Sequence, residues 1–342
     1  MRDQSDIARA EKPEQILLIG AGQMAIDYAK VLKALNVTPL VLGRGAASAS
    51  GFEAATGIRA GSGPLEQQLE ALRAGGPLPG QAIVAVNARN LAEVSRLLFR
   101  YGIRRLLIEK PAALDLDEMA GLLQEMRASG AAAVVAYNRR FLASVAAADR
   151  IIAGDGGALS VFFNFSEPAH RIAALGKPGR ELKTWFYGNS THVVDLAFYF
   201  AGPPEWLQGA VAGGSLIDPE AGIFVGHGKS RSGCHLAWHA NWVGPGRWGV
   251  EVVTKSHRLI FQPLEKLRLQ SHASFAESEL ALDEAEDLAF KPGLLAQTRA
   301  FLTAPDDPRL LSLEDHAAVM QAMEAMRRGE SWDVAGSFAG SM

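Results

Sequence analysis

The chain has 342 residues, 48% of them hydrophobic, enough for about two domains with a core each. A formal net charge of −3 and a pI near 6.3 give no electrostatic reason to expect nucleic acid or an anionic membrane as a partner. Cys234 is the one cysteine, which excludes a disulfide framework and a cysteine metal cluster.

In chain order, residues 1–13 read as a loose polar arm, and Met1–Asp6 carries acids and no apolar core, unlike a signal peptide. No apolar run approaches the ~20 residues that cross a bilayer, so a soluble cytoplasmic protein is expected. Gln15-Ile16-Leu17-Leu18-Ile19 is an apolar strand running into Gly20-Ala21-Gly22-Gln23-Met24-Ala25. Met24, Tyr28, Val31, Leu32 and Leu35 then recur at helical spacing. Gly20 suits a tight turn, Gly22 lets a pyrophosphate approach the backbone, and Ala25 lets the helix pack closely on the strand. The exposed N–H groups at the helix start, around Gln23 and Met24, would meet the phosphates. A lone glycine pattern also occurs in ordinary strand-to-helix turns, but strand, turn and helix in this order predict dinucleotide binding.

The next strand, ending at Leu42, decides which dinucleotide. NAD-specific sites place an acid about 20 residues past the glycines. Here Gly43-Arg44-Gly45 stands at that place, and no acid follows until Glu53. A small residue followed by arginine leaves room and a bidentate partner for a 2′-phosphate, which favours NADP(H) over NAD(H). A solvated arginine in a Gly/Ala/Ser loop is the alternative.

Strands are expected at Ile16–Ile19, Pro39–Leu42, Ala82–Val86, Leu106–Ile108 and Ala132–Ala136, with helices at Ala25–Leu35, Leu65–Ala74, Leu91–Tyr101 and Leu116–Ala128. The Gly-rich stretches 43–63 and 75–80 read as loops. Alternating β and α elements predict a Rossmann doubly wound parallel sheet over residues 1–136. Within it, Leu106–Ile108 ends in Glu109-Lys110-Pro111. Pro111 cannot donate to a ladder, so Lys110 emerges at the carboxyl end of its strand, where open α/β sheets bind ligands. Taken alone, the tripeptide also fits a salt-bridged surface lysine.

After Arg140 the pattern changes. Val161–Phe165 and Cys234–Trp242 alternate with period two, and Gly249–Thr254 and Arg258–Phe261 also read as strands. An α+β domain over residues 137–342 follows, with a largely antiparallel open sheet covered on one face by helices at Phe141–Ile152 and His192–Phe200. The tail, Leu294–Leu302 and Leu313–Arg328, is helical.

With these motifs together, the chain resembles the Gfo/Idh/MocA family of NAD(P)-dependent oxidoreductases. The resemblance rests on Gly20–Ala25, Glu109-Lys110-Pro111, Tyr137-Asn138-Arg139-Arg140-Phe141, Thr191-His192-Val193-Val194-Asp195 and the tail segments Gln297–Leu302 and Ser312–Asp315. It implies hydride transfer between a nicotinamide and a carbinol or keto carbon of a sugar, nucleotide sugar or related polyol. Lys110 then faces substrate and nicotinamide, with Glu109 and Asn87 beside the cofactor, and His192 is the general acid/base. Asp195, one helical step on, orients the helix or the histidine. The chain departs from the family at Gly188, where many members carry an aspartate four residues before the histidine. That leaves Asn189 or Tyr187 in support, although Tyr187 equally fits an aromatic core position. The family's Thr-Pro-Asn reads Val86-Asn87-Ala88.

Family geometry directs the search for substrate residues to the second domain. Asn164 and Glu167 on one strand, and Trp238, His239 and Asn241 on another, would make a polar pocket with an aromatic wall. Arg139 and Arg247 would suit an anionic substrate. Sheet core is the alternative for Trp238 and Trp242, and a solvated turn for Arg247. No His/Asp/Glu spacing suggests a metal. A non-catalytic nucleotide- or sugar-binding regulatory protein is the rival reading, kept open by Gly188. Large side chains on both faces of the second sheet predict a homodimer, or a tetramer of such dimers, joined through it.

Overall fold

The computed structural model describes Pro13 and residues 15–177 and 179–334, so most of the expected N-terminal arm lies outside the described residues. The chain begins as a β/α alternation: β1 (Gln15–Ile19), α1 (Gln23–Ala34), β2 (Thr38–Leu42), α2 (Ala46–Thr56), β3 (Ala60–Gly61), α3 (Leu65–Gly75) and β4 (Gln81–Val84). It continues through α4 (Leu91–Arg100), β5 (Arg105–Ile108), α5 (Leu116–Ser129) and β6 (Ala132–Val135). The stretch 43–63 is not simply a loop. It folds as α2 and β3 because Ala49 and Phe52 bury on one side of an alanine-rich turn of helix, a weak apolar signal in sequence.

Next come α6 (Ala143–Gly154), β7 (Ser160–Phe165), α7 (Ala169–Ala173), α8 (Gly179–Lys183), a π turn over Phe186–Ser190 and α9 (Thr191–Ala201). The strands β8 (Pro204–Ala212), β9 (Ile223–Ser230), β10 (His235–Asn241), β11 (Trp248–Val253), β12 (His257–Phe261), β13 (Arg268–Ser271) and β14 (Glu277–Glu279) follow. The tail holds α10 (Ala285–Ala289), α11 (Leu294–Thr303), β15 (Leu311–Ser312), α12 (Leu313–Arg328) and β16 (Ser331–Asp333).

Two compact units result. The first takes residues up to Asn138 together with Ala285–Leu313, and the second takes Arg139–Glu284 together with the chain from Glu314. A single boundary after residue 136 leaves out this return of the tail.

In the first unit the sheet order is β15-β6-β5-β4-β1-β2-β3, with parallel pairing throughout except for β15 against β6. This is the doubly wound order, reversing direction beside β1. Strands buried on both faces need continuous apolar runs, and Ile16–Ile19 and Leu106–Ile108 supply them. Leu294, Phe301 and Leu302 of α11 join Ile16, Leu18, Tyr28 and Leu32 in one core, which explains why the tail returns.

In the second unit the order is β14-β13-β12-β11-β7-β10-β9-β8-β16, antiparallel except for β7 against β10. Val161, Phe163 and Phe165 of β7 are buried under α9, where Phe198 stacks edge-on to Phe163 at 6.3 Å. Phe162, on the opposite face, is 44% exposed. The period-two alternation of β7 thus becomes one covered and one open face.

Candidate functional site

In the first unit, the β1–α1 turn is built by two glycines with different tasks. Gly20 holds φ +122°, and a Cβ there would lie 2.3 Å from the carbonyl oxygen of Ala85, so no other residue fits between β1 and β4. At Gly22 a Cβ would meet nothing within 4 Å. Gly22 caps α1 in an extended conformation with no side-chain cap bond, and the first helical turn contains no acid. The first N–H groups of a helix have no partner within it. Here they start beside a cavity of about 560 Å³ lined by Gly20, Ala21, Gly22, Leu42, Gly43, Arg44, Ser48, Val86, Asn87 and Asn90, among others. Glu66, Glu93 and Arg100 also line it, so Arg44 is not its only charged group. The uncapped helix start, the bare Gly22 and the size of the cavity fit the phosphates and one nucleoside of a dinucleotide.

Of the other residues expected at this site, Asn87 lines the cavity and stands just before the 3₁₀ turn Ala88–Asn90, with no side-chain bond to it. Gln23 is exposed and donates to Asp27 at 3.0 Å. Met24 is half-buried, with Lys291 Nζ 2.6 Å from its sulfur. Lys291 comes from the returning tail, and nothing in the local sequence connects it with the glycine turn.

Lys110 is half-buried just past the end of β5, as the proline break predicts. Its neighbour Glu109 accepts a hydrogen bond from the hydroxyl of Tyr28 at 2.8 Å. Desolvation pushes the Glu109 carboxyl up, opposed by Tyr28, Lys110 and Lys291, and both burial and Glu109 push the Tyr28 phenol up. Glu109 is therefore an anchor tying the Lys110 segment to α1.

In the second unit, His192 lies in the first turn of α9, only 8% exposed, with its ring 6.1 Å from that of Trp248. Asp195 is fully buried, and its carboxylate accepts from Arg140 Nε at 2.8 Å and Nη2 at 2.7 Å. Burial raises this carboxyl and the guanidinium pulls it back. The pair orients α9 against the Asn138–Phe141 turn. Tyr187 cannot serve as an open proton relay. Its hydroxyl is committed to Glu324, and burial together with that carboxylate pushes the phenol well up. The aromatic-core alternative is the one realised.

A second cavity, of about 660 Å³, opens in this unit between the end of β7 and the start of β11. Glu167, His170, Arg171, Arg247, Trp248 and Glu265 are in its wall. Glu167 accepts from Asn189 Nδ2 at 3.0 Å and Ser190 Oγ at 2.9 Å, so Asn189 reaches the site through Glu167. Arg139 is paired with Glu265 at 2.9 Å. Asn164 spends its oxygen on the backbone N–H of Ser166 and its amide on His239, and Asn241 caps the N–H groups of Val243 and Gly244. Trp238, 3% exposed and 6.0 Å from Phe163, is sheet core, as is Trp242. The aromatic wall is Trp248 instead. Trp248 and Arg171 lie on different elements and share no spacing, so no local pattern in the sequence joins them to the site. Among the described residues, no three His, Cys, Asp or Glu side chains converge as metal ligands, and no helix is long and apolar enough to cross a membrane.

No protein-family profile and no curated protein matches the sequence. Solved structures do match its fold. Levoglucosan dehydrogenase in complex with NADH superposes with a TM-score of 0.75 at 16% identity, over 94% of this chain and 98% of that one. An oxidoreductase from Agrobacterium radiobacter, in complex with NAD+, L-tartaric acid and magnesium, gives 0.73 at 13% identity, over 94% and 99%. The WlbA dehydrogenase from Bordetella pertussis, in complex with NADH and UDP-GlcNAcA, gives 0.71 at 15%, over 94% and 99%. These are oxidoreductases of the Gfo/Idh/MocA type. The chain has their fold. Within that oxidoreductase fold, the parallel sheet carries the glycine turn and the mostly antiparallel sheet carries His192.

Proposed function

We propose that the protein is a metal-independent NADP(H)-linked oxidoreductase of the Gfo/Idh/MocA family, acting on a carbinol or keto carbon of a sugar, nucleotide sugar or related polyol. One observation carries the reading: the bare Gly22 turn, which presents an uncapped helix start to a cavity that also contains Arg44. Gly22, Gln23 and Met24 would hold the pyrophosphate through backbone N–H groups, and Arg44 with Ser48 would hold a 2′-phosphate. The nicotinamide, when bound, supplies a hydride acceptor or donor. The Lys110 ammonium would hydrogen-bond the reacting oxygen and stabilise alkoxide character on it. His192 would take up or return the hydroxyl proton, with Asp195 and Arg140 fixing its helix.

The neighbouring dehydrogenases with NADH and a sugar nucleotide, or with NADH alone, support the reaction class. The second reading, a regulatory protein that binds without turnover, rests on Gly188, where a side chain would meet nothing within 4 Å. A scan of sugars, polyols and nucleotide sugars, read by NADPH absorbance, separates the two. Substrate-dependent turnover that falls roughly a hundredfold in Lys110→Ala, with dinucleotide affinity within a few-fold, supports the enzyme. Dinucleotide binding without turnover on any of these substrates supports the regulator.

A further inference from the structure

Glu167 follows β7 and is 4% exposed, yet the groups that hold it are all neutral. Its Oε1 accepts both short bonds, from Asn189 Nδ2 and Ser190 Oγ. Those two neutral donors favour its charged form, while burial, the largest effect, pushes the carboxyl up. A staple between β7 and the turn before α9 needs only a neutral amide, which would avoid the cost of desolvating a charge. A carboxylate kept there, on a cavity wall and without a cationic partner, is the arrangement of a ligand site. With Oε1 occupied by two donors, Oε2 remains for the cavity.

The rest of the wall narrows the ligand. Trp248 offers an aromatic face of the kind that receives the apolar side of a pyranose ring. Of the arginines, Arg139 is neutralised by Glu265, whereas Arg171 and Arg247 have no carboxylate partner among the described residues. A hydroxyl donating to a carboxylate and an anion meeting guanidinium groups are both charge-assisted bonds.

We propose that Glu167 is a substrate-contacting residue, its carboxylate accepting from a hydroxyl of an acidic sugar whose anionic group is met by Arg171 and Arg247. The proposal rests on the oxidoreductase reading for the polyhydroxylated character of the ligand.

The test uses the full chain without dinucleotide, titrated calorimetrically with D-glucuronate, D-glucose 6-phosphate and D-glucose. At least one acidic sugar is expected to bind roughly tenfold tighter than D-glucose, and which one distinguishes carboxylate from phosphate. Glu167→Gln keeps the acceptor for Asn189 and Ser190, so it should unfold at the parent temperature while weakening the acidic sugar about tenfold. The double variant Arg171→Ala/Arg247→Ala, on exposed positions, should reduce the acidic sugars to the level of D-glucose. Equal binding of all three sugars, no binding of any, or unchanged binding in Glu167→Gln overturns the proposal. If Glu167→Gln fails to fold, the arginine double variant decides by the same comparison. A separate NADPH titration reports on the dinucleotide site, so failure of that reading is seen independently.

Discussion

Two glycines two residues apart should fail in opposite ways when each becomes alanine. In Gly20→Ala the new methyl would stand 2.3 Å from a backbone carbonyl oxygen, at a φ of +122°. The positive φ costs about 1–2 kcal/mol for an L-residue, and a clash with backbone between two core strands is relieved only by parting them, so the total should exceed about 3 kcal/mol. At roughly 2–4 °C per kcal/mol for a unit of this size, the first unit should melt about 6–12 °C lower. In Gly22→Ala nothing lies within 4 Å and the φ is −92°, so folding loses at most about 1 kcal/mol from a poorer helix cap. Its methyl instead enters the space where a pyrophosphate would approach the backbone. Dinucleotide affinity should fall at least about tenfold, or ~1.4 kcal/mol. Circular dichroism melts and fluorescence titration with NADPH read the two effects on the same samples. Parent-like NADPH binding by a folded Gly22→Ala protein would refute the placement of phosphates at this turn, and an unshifted melt of Gly20→Ala would refute the packing argument.

Three further outcomes follow from the same reasoning. The parent protein should bind NADPH about tenfold tighter than NADH, and Arg44→Ala should erase most of that preference; equal affinities in the parent refute the 2′-phosphate assignment. Asp195→Asn removes the buried carboxylate that accepts two bonds from Arg140, itself 6% exposed, and should cost about 3–5 kcal/mol by urea denaturation; a loss under about 1 kcal/mol would mean that water reaches the pair. The open face of the second sheet leaves Phe162 and Val225 each more than 40% exposed, so light scattering at micromolar concentration should give a dimer or a tetramer. A mass near 36.5 kDa would count against any covering of that face by another copy.

What could be read from the sequence was local. The apolar run Ile16–Ile19, the glycine turn and the spacing Tyr28, Val31, Leu32 specify strand, turn and helix because each depends on neighbours a few residues away. The proline after Lys110 ended its strand for the same reason, and the period-two pattern of β7 set which side chains face α9. Residues 46–56 escaped because Ala, Ser and Gly supply no apolar stripe, and Phe52 declares the helix only once a core receives it. Tertiary structure decided which unit claims the tail, since Phe301 and Leu302 would suit any core and only contact with Ile16 and Tyr28 assigns them. It also decided the partners of the polar groups: Asp195 takes Arg140, 55 residues away, Tyr187 takes Glu324, 137 away, and Glu167 takes Asn189 and Ser190. A buried charge or hydroxyl must find a partner, but its own sequence neighbourhood does not say which.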